Sequence, residues 1–157
     1  MKIQDLMTQS VQTCERETNL AEVAKMMWDH DCGSIPVTTG DRKVIGIITD
    51  RDVCIAVATK HRKAEDIVAG EILQDKKTKA VYTCSPGDDA AEALETMVKY
   101  RVRRLPVVDR SGCLVGIVSI DDLIISAHEA KGKSPSYVEV IRTYQSICGH
   151  PQAAVGV

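Results

Sequence analysis

The chain carries one pattern twice, and the second copy follows the first seventy residues later without a gap. Residues 11–53 lie over 81–123: Val11 falls on Val81, Thr13-Cys14 on Thr83-Cys84, Ala21-Glu22 on Ala91-Glu92 and Met27 on Met97. Further on, Pro36-Val37 meets Pro106-Val107, Gly46-Ile47 meets Gly116-Ile117, and Asp52 meets Asp122. Internal repeats decide the reading of everything else, because a missed repeat misassigns the whole fold. Two copies are too few for a solenoid. They predict a pseudo-twofold pair in which equivalent polar residues mark equivalent sites.

A chain of 157 residues can bury one good core or two small cores packed together. It has no Phe and one Trp, so that core must be made of Val, Ile, Leu, Met and Ala. A net charge of -2 offers no basic field for nucleic acid. No apolar run is long enough to span a membrane, and Met1-Lys2-Ile3-Gln4-Asp5 lacks the charged-then-apolar order of a signal peptide. The expected compartment is the cytoplasm. Six cysteines stand at Cys14, Cys32, Cys54, Cys84, Cys113 and Cys148, and no pair has the C-x-x-C spacing of a zinc or redox motif. Cys14 and Cys84 match in register among apolar neighbours, as small core residues would. A redox or metal role is the alternative, and His30 near Cys32 has no second ligand pair to support it.

Each copy opens with an extended segment, Val11–Thr13 or Val81–Thr83. A helix start follows, with Asn19 and Glu22, or Asp89 and Glu92, spaced as capping boxes. Leu20, Val23, Ala24 and Met27 then recur on one helical face, repeated by Ala90, Ala93, Leu94 and Met97. That helix should end near Cys32-Gly33 and Val102-Arg103, before Pro36 and Pro106. Two apolar runs come next in each copy, Ile35–Val37 with Val44–Ile48 and Leu105–Val108 with Leu114–Val118. The loops 39–42 and 109–112 join them as hairpins. Second helices are predicted over Asp50–Thr59 and Ile120–Lys131. The unit is therefore β-α-β-β-α, and the fold class is α/β of the α+β type: two such repeats packed with pseudo-twofold symmetry. Residues 1–62 form the first repeat, 63–131 the second, and 132–157 a C-terminal helix and flexible tail. Short helices are expected at Ile3–Met7 and Ala64–Leu73. Ser136 and Glu139 predict a last helix with Val138, Ile141 and Cys148 on one face.

The segments richest in chemistry are Gly46-Ile47-Ile48-Thr49-Asp50-Arg51-Asp52 and Gly116-Ile117-Val118-Ser119-Ile120-Asp121-Asp122. Each is Gly, two apolar residues, a hydroxyl, two variable residues and Asp, placed where a strand turns into a helix. A glycine within a strand lets something approach the backbone. The hydroxyl of Thr49 or Ser119, beside free N–H groups, suits a phosphate oxygen. Asp52 or Asp122, one turn in, can accept from the cis hydroxyls of a ribose, as acidic residues of dinucleotide folds do. The same hydroxyl-x-x-Asp spacing is also an N-cap, needed simply to start a helix. Capping does not require the glycine, and the duplication weighs toward a nucleotide.

These residues resemble the CBS-domain family, specifically the tandem pair called a Bateman module, over about residues 1–130. The marks are Ile35-Pro36-Val37 and Leu105-Pro106-Val107-Val108-Asp109, each followed by the Gly-x-x-Thr/Ser-x-x-Asp motif. The resemblance implies a sensor with two clefts for AMP, ADP, ATP, NAD or S-adenosylmethionine, with magnesium where a polyphosphate brings it. It implies phosphate at Thr49 and Ser119, ribose at Asp52 and Asp122, and adenine near Thr13, Ile35 and Pro36, or Thr83, Leu105 and Pro106. Arg103 and Arg104 stand where family members that bind adenylates contact phosphate; a solvated basic edge is the alternative. Copy one has Gly33 and Ser34 there, and Asp121 faces Arg51 across the register, so the two clefts should differ in charge.

The expected function is a regulatory ligand-binding module, with output through a dimer or an unknown target protein. A scaffold that kept the fold and lost the ligand is the alternative. Nothing supports an enzyme: there is no Ser-His-Asp order, zinc signature or phosphate loop. A homodimer is expected because the helices after Asp50 and Ile120 carry Val53, Ile55, Ala56 and Val57, or Leu123, Ile124, Ile125 and Ala127. These are apolar on more of their circumference than one packed face requires.

Overall fold

A computed structural model describes residues 1–75, 80–128 and 135–149. The chain runs through α1 (Leu20–Asp29), β1 (Ser34–Thr38), β2 (Val44–Thr49), α2 (Asp50–Lys60) and α3 (Ala69–Asp75). It continues through α4 (Ala90–Tyr100), β3 (Arg104–Val108), β4 (Leu114–Ser119), α5 (Ile120–Ile125) and α6 (Tyr137–Cys148). The duplication is carried into the register. Ser34 pairs with Thr49 and Pro36 with Ile47, while Arg104 pairs with Ser119 and Pro106 with Ile117. Even the irregularity repeats, between Val37 and Thr38 and between Val107 and Val108. The hairpin loops lie as predicted, and position 42 shows what the turn demands. Arg42 holds φ 62°, the left-handed conformation that its equivalent Gly112 adopts at φ 84° without steric cost.

The opening extended segments shrink to one residue of pairing. Cys14 N–H donates to Pro36 O at 3.1 Å and Thr38 N–H to Cys14 O at 2.9 Å, and Cys84 does the same with Pro106 and Val108. A parallel ladder would next need an N–H from Pro36 to Gln12 and from Pro106 to Tyr82. Proline has none, so the pairing stops there and Val11–Thr13 and Val81–Thr83 form no strand.

Two apolar clusters form the core. One joins Cys14, Leu20, Val23, Met27, Ile35, Val37 and Ile48 with Ile67, Ala69 and Ile72; the other joins Leu94, Met97, Leu105, Val107, Val118 and Leu123 with Ile3. Packing thus crosses the repeat division. The segment before copy one docks on copy two, with Ile3 N–H to Asp88 O and Ala90 N–H to Met1 O, both 3.0 Å. The segment before copy two docks on copy one, with Leu20 N–H to Ile67 O and Ala69 N–H to Thr18 O, both 2.9 Å. The hairpin loops also meet: Leu114 N–H donates to Arg42 O at 3.0 Å, and Lys43 pairs with Cys113.

That exchange explains several departures from the expected helices. Ile3–Met7 is a 3-10 turn over Ile3–Asp5, and Ala64–Leu73 is a 3-10 turn at Ala64–Asp66 followed by α3. Between them Ile67 and Val68 stay extended because they pair with Asn19 and Leu20. The second helix of copy two ends at Ile125 rather than Lys131. Its successor His128 is held by backbone bonds to Pro135 and Tyr137, which compete with another helical turn. Residues 129–131 lie outside the described residues. The first helices end at Asp29 and Tyr100, somewhat before the predicted stops, and Arg101 closes α4 in the left-handed conformation.

In α6 the predicted apolar face is the outer one. Val138 and Ile141 are each 57% exposed and Cys148 is exposed, while Val140 and Thr143 are buried and Ile147 packs on the second cluster. Both stripes have helical spacing, and contact with α4 and α5 selects the one that turns inward. The Ser136–Glu139 capping box is formed. The expected tail beyond Gly149 lies outside the described residues. No helix among the described residues is long and apolar enough to cross a membrane.

Candidate ligand clefts

The hydroxyl and Asp of each motif fall together at the start of α2 and α5, and in both copies they close a capping box. Thr49 N–H and Oγ1–H each donate to Asp52 Oδ2 at 2.8 Å, and Asp52 N–H donates to Thr49 Oγ1 at 3.3 Å. In copy two, Ser119 N–H donates to Asp122 Oδ2 at 2.7 Å and Ser119 Oγ–H at 2.6 Å. Helix capping is therefore one role these residues perform. All the bonds named to the two carboxylates use Oδ2.

The motif glycines are filled by protein. A Cβ on Gly116 would stand 2.5 Å from Met7 Sδ and 3.0 Å from Thr8 O, and one on Gly46 would collide with the end of the Leu73 side chain. The close approach anticipated at these strands is thus made by the exchanged leader segments, each contributing one side chain to the opposite copy.

Two clefts flank the junction of the copies. The first, about 550 Å³, includes Ile47, Val81, Tyr82, Tyr100, Val102 and Arg104 in its wall. The second, about 390 Å³, includes Ile117, Val11, Gln12, His30, Cys32 and Ser34. Each pair of equivalents differs by seventy in number, so the clefts are images under the pseudo-twofold. Of the residues singled out from sequence, Ile35, Arg104, Ser119 and Asp122 line the second cleft, and Arg104 lines the first as well. Thr49 and Asp52 fall outside the wall of the first cleft. Thr13, Pro36, Thr83, Arg103, Leu105 and Pro106 line neither. The Leu105 side chain is fully buried, and Arg103 is exposed.

The charges of the two walls differ, though of the residues singled out from sequence for that contrast only Asp121 contributes, since Arg104 lines both and Arg51 and Arg103 line neither. Arg16 and Arg104 stand in the first, which has no carboxylate among its described lining residues. Asp31, Asp121 and Asp122 stand in the second, with Arg104 and His30. Arg16 and the tyrosines were not singled out from sequence. The rings of Tyr82 and Tyr100 stack with centroids 3.6 Å apart and planes 11° from parallel. The repeat holds the signal that finds them, since two of only four tyrosines occupy the positions of Gln12 and His30.

Cys14 and Cys84 are core residues, 3% and 6% exposed. Burial pushes the Cys14 thiol up to about 11 and the Cys84 thiol up to about 12, the latter helped by Asp88. Both therefore stay protonated near neutral pH, and thiol reagents act on the thiolate. At pH 8, native protein is expected to react rapidly at Cys54 and Cys148, which are exposed, and to hold back Cys14 and Cys84 until it is unfolded. Peptide mapping after a timed alkylation pulse checks this, and early modification of Cys84 would contradict the packing. The sign for stability follows. The unfolded thiols ionise from about pH 9.0, so stability is intact below that and is lost as pH rises toward about 11 and about 12.

Among the described residues no three His, Cys, Asp or Glu side chains gather as metal ligands. A two-copy α/β pair with clefts at its junction is a ligand-binding architecture, and the comparisons give it a family. The CBS-domain family model matches residues 3–59 and 69–129, and the chain belongs to that family. Uncharacterized protein MK0525 of Methanopyrus kandleri is 34% identical over 103 residues, 66% of this chain and 50% of its own length. Homoserine O-acetyltransferase of Methanohalophilus mahii is 33% identical over 132 residues, 84% of this chain and 25% of its own. The chain thus spans between a quarter and half of these relatives. Among solved structures, the CBS domain pair of protein MJ0100, in complex with 5′-methylthioadenosine and S-adenosyl-L-methionine, is 27% identical. It superposes with a TM-score of 0.66, covering 80% of this chain and 93% of that one.

Proposed function

We propose that the chain is a cytoplasmic regulatory sensor for an adenosine ligand, drawn from AMP, ADP, ATP, NAD and S-adenosylmethionine. The observation that carries this reading is the second cleft, whose wall unites Ser119 and Asp122 of one copy with Ile35 of the other. Asp122 Oδ2 holds the capping box and Oδ1 is the atom offered to a ribose. The adenosyl ligands in the MJ0100 pair support the same ligand class. Magnesium would arrive with a polyphosphate. Output passes through a homodimer or a target protein. The dimer draws support from α2 and α5, where Ile55 is 48%, Ile124 43% and Ile125 83% exposed. Light scattering at micromolar concentration tests that part, with a mass near 17.1 kDa refuting it.

Calorimetry tests the ligand. Asp122→Ala is expected to weaken binding at the second cleft about ten- to a hundredfold, the worth of a hydrogen bond to a charged acceptor, and Asp52→Ala is the matched test at the motif of copy one. Opening the capping box also lowers stability, by on the order of 1 kcal/mol, so affinity is measured well below each variant's melting temperature. Unchanged affinity in both variants removes these residues from the site. Wild-type protein that binds none of the five ligands leaves the scaffold.

A further inference from the structure

We propose that Arg104 is a charge shared by the two clefts, so that an anionic ligand in the first favours a cationic ligand in the second. The inference rests on the adenosine reading above and adds to it a coupling and a division of ligand charge. Arg104 opens β3 beside Ser119 and reaches walls of both clefts. Its Nη2 lies 3.6 Å from where a Cβ on Gly33 would stand, which puts the guanidinium against the start of β1 in the other copy. The repeat offers no second arginine there. The equivalent residue is Ser34, 7% exposed and without charge. Arg104 makes no ion pair among the described residues, so no salt bridge ties its head to either side.

The surroundings then decide what each cleft prefers. In the first, Arg104 joins Arg16 with no opposing carboxylate among the described lining residues, a setting for phosphate, which the forked guanidinium matches. In the second, Arg104 is set against Asp31, Asp121 and Asp122. A phosphate in the first cleft draws the guanidinium toward it and away from the three carboxylates, whose charge is then less offset. The second cleft then becomes more attractive to positive charge, such as the sulfonium and ammonium of S-adenosylmethionine. Gly33 matters to this movement because a larger residue there would meet both Arg104 and Asp50 Oδ2.

The test is a linkage measurement on the full chain with AMP and S-adenosylmethionine. Titration of S-adenosylmethionine into protein saturated with AMP is expected to give an affinity about tenfold higher than into free protein. AMP must gain by the same factor in the reverse order, because coupling is reciprocal. Arg104→Gln is expected to weaken AMP and to abolish the coupling, while Arg104→Lys keeps the charge and retains part of it. Thermal unfolding of each variant establishes that it is folded. Competition between the two ligands, or coupling that survives in Arg104→Gln, overturns the proposal while leaving the adenosine sensor intact. Absence of any binding to the wild type overturns both.

Discussion

Replacing Ile3 with alanine is expected to remove about 2–5 kcal/mol of unfolding free energy, the cost of a large aliphatic side chain lost from a closed core. Ile3 is fully buried in the cluster of copy two, among Leu94, Met97 and Leu105. Two backbone bonds hold it in place, Ile3 N–H to Asp88 O and Gln4 N–H to Pro86 O, each 3.0 Å. The Lys2–Asp89 ion pair, with both side chains half exposed, adds little beside this. Ile67→Ala should behave alike, since Ile67 is the fully buried contribution of the other leader to copy one. Urea denaturation, with midpoint and slope fitted together, measures both. A change in Ile3→Ala of under about 0.5 kcal/mol, the usual surface value, would mean that the leader is not docked on the second copy.

Gly116→Ala is expected to cost about 1–3 kcal/mol through overpacking, and Gly46→Ala less. The added methyl at 116 meets Met7 Sδ, which can swing away, and also Thr8 O at 3.0 Å, which cannot. Thr8 is bonded in both directions to Ile117, N–H to O at 2.9 Å each way, so its carbonyl is pinned to the strand that carries the glycine. At Gly46 the three nearest atoms all belong to the flexible end of Leu73. A melting shift of roughly 2–4 °C per kcal/mol applies to a chain of this size. The measurement also separates two roles for the motif glycine. Lost stability with intact ligand affinity places it in packing, whereas lost affinity at unchanged stability would return it to the ligand.

The sequence by itself determined the repeat, and with it most of the local structure. The seventy-residue offset reappears in every strand pair, and the faces Leu20-Val23-Met27 and Ala90-Ala93-Leu94-Met97 turn inward as their spacing requires. The hydroxyl-x-x-Asp boxes form because capping is local: Thr49 and Asp52 are a helical turn apart and need no distant partner. Residues 1–8 and 64–75 were a different matter. Their apolar residues suit a short helix, but pairing with the opposite copy satisfies the same backbone groups and buries Ile3 and Ile67 as well. That competition is settled over long sequence separations, and no window of sequence contains both sides of it. The same holds for α6, where Val138-Ile141 and Val140-Thr143-Ile147 are equally helical and only the surface of α4 and α5 chooses between them. The clefts belong to the tertiary structure most of all. Arg104 was legible as a cation before a strand, but its place between two unlike walls exists only once the copies meet, because Arg16, Asp31 and Asp121 come to it from separate parts of the chain.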